Sequence, residues 1–101
     1  MGDDFIKAVK KLSIKVGPPR LTRFEKARII AARALQLALG ALPLISITDG
    51  LNDPVEIAKR ELQQGVLPIT LVRRRPGGEE ELIPVGKLIE LEKRIFGRVE
   101  I

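Results

Sequence analysis

The sequence LTRFEKARIIAARALQLALG, residues 21–40, decides how this chain folds. Thr22 and Glu25 have the spacing of a capping box, in which each side chain binds a free backbone N–H of the other residue. Gly40 can adopt the left-handed backbone conformation that commonly ends a helix. The stretch therefore predicts a helix with a defined start and a defined end.

The apolar residues of this helix cover about half of its circumference, more than the stripe of roughly 100° on an ordinary surface helix. A row of alanines forms the middle of this arc, and larger side chains flank it: Ala27, Ala31, Ala34, Ala38, Phe24, Leu35, Leu39, Ile30 and Leu37. We expect the alanines to pack against a second helix and Ile30 and Leu37 to face a partner protein. Arg28 projects from the arc, either to pair with a partner's acceptor or to reach solvent along its aliphatic stem.

The composition limits the possible functions. The chain has 101 residues, a formal net charge of +5 and a pI of about 10.0, which suits contact with nucleic acid or with an acidic protein surface. It has no Cys and no His, so disulfides, thiolate metal sites and the commonest general base are absent. No apolar run approaches the length of a membrane span. We expect a cytoplasmic protein without catalytic residues, cofactor or metal.

Residues 1–20 form a basic N-terminal arm that ends in Gly17-Pro18-Pro19, a helix-breaking sequence. Apolar residues at helical spacing alternate with lysines in this arm. The arm is either a frayed tail or a short amphipathic helix that docks on a partner.

After the first helix, residues 41–52 predict an extended, buried connection. Asp53 is a good N-cap for a second helix, and Pro54 suits its first position. Glu56 is placed to complete a capping box and to pair with Arg60 one turn later. The narrow apolar stripe of this helix consists of Ile57, Ala58 and Leu62.

Residues 66–74 and 79–85 flank the turn sequence Pro76-Gly77-Gly78 and predict a β-hairpin. Pro68 fits only near the beginning of a strand or at an edge. The basic run 73–75 faces the acidic run 79–81 across the turn, which favours cross-strand charge pairing. Contact of the arginines with nucleic acid or an acidic partner is the alternative.

Leu88, Leu91 and Ile95 have helical spacing and predict a last helix over residues 87–96 that lacks a clear N-cap. The expected fold class is therefore α+β. It comprises two main helices, a short C-terminal β-hairpin and an extra C-terminal helix. We divide the chain into the arm (1–20), a core (21–85) and a C-terminal extension (86–101).

The two helix motifs, LTRFEKARIIAARALQLALG and DPVEIAKRELQQGVLPITLVRR, closely resemble archaeal RNA polymerase subunit K. That family is related to the shared sixth subunit of eukaryotic polymerases and to bacterial omega. The resemblance covers roughly residues 21–78, including the proline-containing link and the glycine turn. It implies a non-catalytic subunit of a nucleotidyltransferase complex, DNA-directed RNA polymerase, that acts in DNA-templated transcription.

In this family the subunit clasps the C-terminal part of the largest subunit and promotes assembly and stability. The resemblance thus implies that the complex, and not mainly this chain, binds DNA and RNA, and that no membrane is involved. The resemblance and the helix pattern together give a partner interface of Arg28, Arg33, Gln36, Ile30 and Leu37. The structural motif positions are Thr22, Glu25, Ala34, Gly40, Asp53, Pro54, Ile57, Ala58, Leu62 and Pro68.

A function from another class remains open, namely a free-standing basic module that binds nucleic acid. Its contacts would come from the lysines of the arm and the basic run 73–75. Such modules usually interleave aromatic stacking groups with their cations. This chain has three Phe, none of them within its basic runs, which argues against that function.

Overall fold

A computed structural model describes residues 14, 16–48 and 50–101 of the chain. In this part of the chain the elements are, in order, α1 (Arg23–Ala38), α2 (Pro54–Gln63), β1 (Thr70–Arg74), β2 (Glu80–Pro84) and α3 (Val85–Phe96). The α+β class and the number of helices are as expected. The helical pattern of the arm, over residues 5–12, lies outside the described residues.

Helix α1 begins and ends as its sequence predicts. The Thr22 hydroxyl accepts a hydrogen bond from the Glu25 N–H at 3.2 Å, and Glu25 Oε1 accepts one from the Thr22 N–H at 2.8 Å, so the capping box is present. Gly40 follows the helix with φ = +106°, in the region that favours glycine.

Helix α2 begins at Asp53, whose carboxylate accepts a hydrogen bond from the Val55 N–H at 2.9 Å. Glu56 pairs with Lys59 at 3.5 Å, so the expected pair with Arg60 is wrong. Lys59 is one residue closer, and both spacings bring side chains together on a helix surface. The apolar stripe Ile57, Ala58 and Leu62 is buried, as expected.

Strands β1 and β2 pair antiparallel, with Thr70 opposite Pro84 and Arg74 opposite Glu80. Arg74 forms an ion pair with Glu80, and Arg75 Nη1 lies 3.3 Å from Glu79 Oε2. The expected charge pairing is confirmed for these two arginines. Arg73 differs from both, because its side chain turns inward and is buried.

Helix α3 follows β2 directly. Its N-cap is Pro84, which makes no side-chain cap, and the expected Glu90–Arg94 pair forms at 2.8 Å. Residues from α3 and β2 join residues from α1 and α2 in the core: Leu21, Ile29, Leu62, Leu67, Ile83, Val85, Leu88, Ile89 and Leu91. The segment that we named a C-terminal extension therefore contributes to the same core as the two main helices.

The link between α1 and α2 contradicts one expectation. We expected its apolar residues to be buried, but Leu42, Leu44 and Ile47 are exposed. The link is held through its backbone instead, because the Leu42 carbonyl and the Leu44 N–H bind a buried ion pair between the two helices.

The caps give a direct test of the helix starts. Thr22→Ala and Asp53→Ala should each lower the free energy of unfolding by about 1 kcal/mol, because each removes an acceptor from a free backbone N–H. Urea titration of each variant measures this change. If both variants unfold at the wild-type midpoint, the two side chains do not stabilise the helix starts.

Candidate protein-docking interface

Helix α1 turns three of its five charged residues inward. Glu25, Lys26 and Arg33 lie on the side of the helix that contains Ile29, its most buried apolar residue. Each of the three forms an ion pair with a different element of the chain. The inward side of α1 is therefore held largely by charge.

Arg33 and Glu61 form the most buried of these pairs. Arg33 Nε lies 2.7 Å from Glu61 Oε1, and Arg33 Nη2 lies 3.0 Å from Glu61 Oε2, so the contact is bidentate. Two atoms of the pair also bind the link, because Arg33 Nη2 donates to the Leu42 carbonyl at 3.0 Å and the Leu44 N–H donates to Glu61 Oε2 at 2.7 Å. The pair thus joins α1, α2 and the link at one point.

Burial and pairing act in opposite directions on these groups. Glu61 is 0% exposed, yet its hydrogen bond from Arg33 outweighs burial and holds the pKa of its carboxyl below the ordinary value. The same hydrogen bond raises the pKa of Arg33. Both groups are therefore charged at neutral pH.

Arg73 is the centre of a second buried cluster. Its guanidinium contacts both carboxylate oxygens of Glu25, at 3.0 Å from Nε and 2.8 Å from Nη2. The other N–H groups donate to the carbonyls of Val16, Pro18 and Arg20 at 2.6–3.0 Å, so each N–H of the fork has an acceptor. Arg73 in this way fastens residues 16–20 to the start of α1.

Gly17 allows this close approach. Its φ is +78°, and a Cβ added there would lie 2.9 Å from Arg73 Nη1. On Glu25, burial acts to raise the pKa, but the hydrogen bonds from Arg73 and Thr22 outweigh it and leave the pKa below its ordinary value.

Lys26 fastens the other end of the described chain. Its Nζ lies 2.8 Å from Glu92 Oε2 and 2.6 Å from the Glu100 carbonyl oxygen. The Glu100 N–H donates to the same Glu92 oxygen at 3.2 Å. The tail after α3, residues 98–101, therefore runs beside α1.

The opposite side of α1 is apolar and faces solvent. Phe24 is 82% exposed and Leu39 is 80% exposed, and Leu35 between them is also exposed. We call this surface the apolar face; it consists of Phe24, Ala31, Leu35, Ala38 and Leu39, with Arg28 among them. The exposed apolar surface continues along the chain into the link, where Leu42 is 84% exposed.

The expectation that the alanine row packs against α2 is therefore wrong for most of the row. Ala34 is buried, but Ala27, Ala31 and Ala38 are exposed. Hydropathy alone assigns the wider apolar side of a helix to the core. Here three ion pairs hold the other side inward and override that assignment.

The residues assigned to a partner interface fall in three environments. Arg28 is exposed, and it forms no ion pair within the described part of the chain. Ile30 and Leu37 are half-buried, and Ile30 packs against the core. Arg33 binds Glu61, and Gln36 Oε1 accepts from Arg33 Nη1 at 3.2 Å. Arg28 thus lies on the apolar face, whereas Arg33 and Gln36 serve contacts within the chain.

The sequence analysis did not predict the ion pairs that orient α1, although Glu25 and Arg33 were among its motif and interface residues. Glu61 lies among the buried positions of α2, next to Leu62, and this placement alone indicates a buried charge that needs a partner. Arg73 similarly shares the inward side of β1 with Leu71. These signals identify the buried charges but not their partners, which are 28 and 48 residues away along the chain.

Residues 14, 16–48 and 50–101 contain no group of three or more acidic side chains able to hold a metal ion. No helix in the same ranges is long and apolar enough to cross a membrane.

A family model described as RNA polymerase Rpb6 matches residues 17–69, more than half of the chain. The chain belongs to this family. The Rpb6-family match contains α1, the link, α2 and both members of the Arg33–Glu61 pair. The partners that hold the two ends, Arg73 and Glu92, lie beyond the matched range.

The similar proteins include several named DNA-directed RNA polymerase subunit Rpo6. The one from Thermofilum pendens is 50% identical over 82 residues, which are 81% of this chain and 100% of that protein. The one from Pyrobaculum aerophilum is 52% identical over 79 residues, 77% of this chain and 74% of its own length. The resemblance to archaeal subunit K is thereby confirmed.

Breaking the Arg33–Glu61 pair should destabilise the fold strongly. Arg33→Ala leaves the Glu61 carboxylate buried without its partner and should lower the free energy of unfolding by about 3–5 kcal/mol. Urea titration measures the change. Arg94→Ala is the matched control, because it removes an exposed partner from Glu90 and should cost under about 1 kcal/mol.

The double variant Arg33→Met/Glu61→Leu distinguishes the effect of losing the ion pair from the effect of leaving one buried charge unpaired. It removes both charges, so neither is left buried alone, and it should be more stable than either single variant. If the two single changes instead add, the side chains do not act as a pair.

The lowered carboxylate pKa values predict loss of stability in acid. Ionised Glu25 and Glu61 contribute stability above their unfolded pKa of about 4.3, and this contribution is lost as pH falls through their lower folded values. The free energy of unfolding should therefore be nearly constant between about pH 5.5 and 7, since no His titrates there. It should then fall steeply below about pH 4.

The same urea titrations, repeated across this pH range, measure the effect. A Glu61→Gln variant has no carboxylate at this position to take up a proton in acid, so it should show a shallower acid limb than the wild type. Identical acid limbs would contradict the assignment of the effect to Glu61.

Proposed function

We propose that this chain is a non-catalytic subunit of DNA-directed RNA polymerase that clasps the C-terminal part of the largest subunit. In this role it promotes assembly of the enzyme and stabilises it. Family membership supports the polymerase context. The observation that carries the docking role is the apolar face of α1, which is exposed while the charged side of the same helix is buried.

An exposed, contiguous apolar surface on a small protein typically marks a contact with another protein. The apolar face lies on a helix of 16 residues that is capped and tied to three other segments. Such a helix is already ordered before it binds, so association needs little further ordering of this surface. These properties suit a permanent subunit contact.

Arg28 gives the contact a specific chemical requirement. It is the one cation among the apolar face residues, and burial beneath a partner would remove its water. A desolvated, unpaired guanidinium is very unfavourable, so the partner should present a carboxylate or backbone carbonyls to it. The planar fork of Arg favours a bidentate acceptor.

No catalytic step is assigned to this chain. It has no Cys or His to act as nucleophile or base, and its neighbouring glutamates 79–81 lie at the hairpin. DNA and RNA would be bound by the assembled enzyme and not mainly by this subunit.

The free-standing nucleic-acid-binding module is less well supported. Arg73 is buried, and Arg74 and Arg75 are paired with Glu80 and Glu79. The basic run is therefore largely neutralised within the chain. The structure does not describe the four lysines of the arm, Lys7, Lys10, Lys11 and Lys15.

The proposal is tested by competition for incorporation. Tagged variant and untagged wild type are mixed with the remaining polymerase subunits, and the fraction of each that co-purifies is measured. Arg28→Ala should be incorporated poorly, because removing one side of a buried pair typically costs about 2–5 kcal/mol. Arg28→Lys should recover only part of this loss.

Arg60→Ala is the matched control, because Arg60 is exposed on α2, away from the apolar face. Lys26 would be unsuitable, since its ammonium holds Glu92 and the tail. Equal incorporation of the Arg28→Ala and Arg60→Ala variants would refute the role of Arg28. Failure of wild type to co-purify with the polymerase would refute the proposed function itself.

A further inference from the structure

A second surface adjoins the apolar face of α1 and shares Ala31 with it. It is a groove of about 1180 Å³ between the first half of α1, one side of α2 and the tail 98–101. The tail wall is positioned by Lys26, whose Nζ binds both Glu92 and the Glu100 carbonyl. We call this surface the basic groove.

The floor of the basic groove is apolar. It is lined by Ala27 and Ile30 of α1, Val55 of α2 and Val99 of the tail. The side chain of Ala27 is a single methyl group, so it leaves space in the groove for a bound side chain and presents no polar atom to it. Apolar side chains of a bound segment would therefore lose contact with water there and stabilise the complex.

The mouth of the groove carries an excess of positive charge. Among the described residues, Arg20, Arg23, Lys59 and Arg98 line it together with one carboxylate side chain, that of Glu100, which pairs with Arg98 at 2.8 Å. Arg23 forms no ion pair with any of residues 14, 16–48 and 50–101. Lys59 pairs with Glu56 only at 3.5 Å, and both side chains are exposed. Such exposed pairs are weak and exchange readily for another carboxylate.

We propose that the basic groove binds an acidic segment of another protein, with apolar side chains on the floor and carboxylates at Arg23 and Lys59. This goes beyond the proposed function, because the groove lies beside the apolar face and uses different cations. The positive charge at the mouth favours an acidic occupant, and the apolar floor favours a segment in which apolar side chains alternate with the acidic ones. The tail contributes one wall, and Lys26 binds this tail through the Glu100 carbonyl.

A protein segment fits this surface better than a nucleic acid does. Single-stranded nucleic acid is bound by aromatic stacking together with cations. None of the described residues that line the basic groove is aromatic, and Phe96 lies instead under Arg20, whose guanidinium carbon is 5.5 Å from the ring centre.

The experiment uses the full-length chain and a fluorescent peptide of about ten residues, alternating Glu and Leu, which spans about 30 Å when extended. Fluorescence anisotropy measures its binding. Arg23→Glu/Lys59→Glu should weaken binding by about tenfold or more, since it reverses both charges at the mouth. Arg60→Glu/Lys93→Glu is the control with the same change in net charge at exposed sites outside the groove. It should bind within about twofold of wild type.

A neutral variant tests the floor. Ala27→Phe fills the space above the floor and leaves every charge in place, so peptide binding should fall by a similar factor. Circular dichroism confirms that each variant remains folded. Binding of a peptide with Gln in place of Glu should be much weaker than binding of the acidic peptide.

Three results would overturn the proposal. One is equal loss of binding in the groove variant and the charge-matched control, which would indicate only net charge. Another is unchanged binding to folded Ala27→Phe. The third is tighter binding of an oligothymidylate of similar length than of the acidic peptide. None of these measurements depends on incorporation into polymerase, so failure here leaves the proposed subunit role unaffected.

Discussion

The charged inward side of α1 is the constraint on which the rest of the structure depends. Three ion pairs leave this one helix, and each holds a segment without regular secondary structure. Arg73, the partner of Glu25, binds the carbonyls of residues 16–20. Arg33 and Glu61 both bind the link, and Lys26 and Glu92 both bind the tail at Glu100. The longest helix thus organises the segments as well as contributing to the core.

This arrangement suits a chain with only three aromatic residues. The described core contains no aromatic residue, and it draws on Leu, Ile and Val from all parts of the fold. Buried ion pairs are a costly substitute for apolar packing, because both charges lose water. The cost is reduced here by a second layer of backbone partners, since Glu61 also accepts from Leu44 and Arg73 also donates to three carbonyls.

Local features could be predicted from the sequence because their causes are local. Thr22 and Glu25 are three residues apart, Gly40 follows its helix directly, and Arg74 and Glu80 meet across a short turn. The orientation of α1 could not be predicted in the same way. It depends on pairs such as Arg33–Glu61 and Glu25–Arg73, whose members are separated by 28 and 48 residues. The exposure of the apolar link was not predicted for the same reason. The link is held by backbone atoms that bind Arg33 and Glu61, and this pair is not evident from the local sequence.

The pairs also remove a freedom that an isolated amphipathic helix normally has. A helix with one apolar side can rotate about its long axis until that side is buried against the rest of the protein. For α1, half a turn would pull Glu25, Lys26 and Arg33 away from their partners together and strand several charges in an apolar interior. The ion pairs thus fix the rotation of the helix about its axis. In the free chain the apolar face therefore stays exposed to solvent and does not turn into the core.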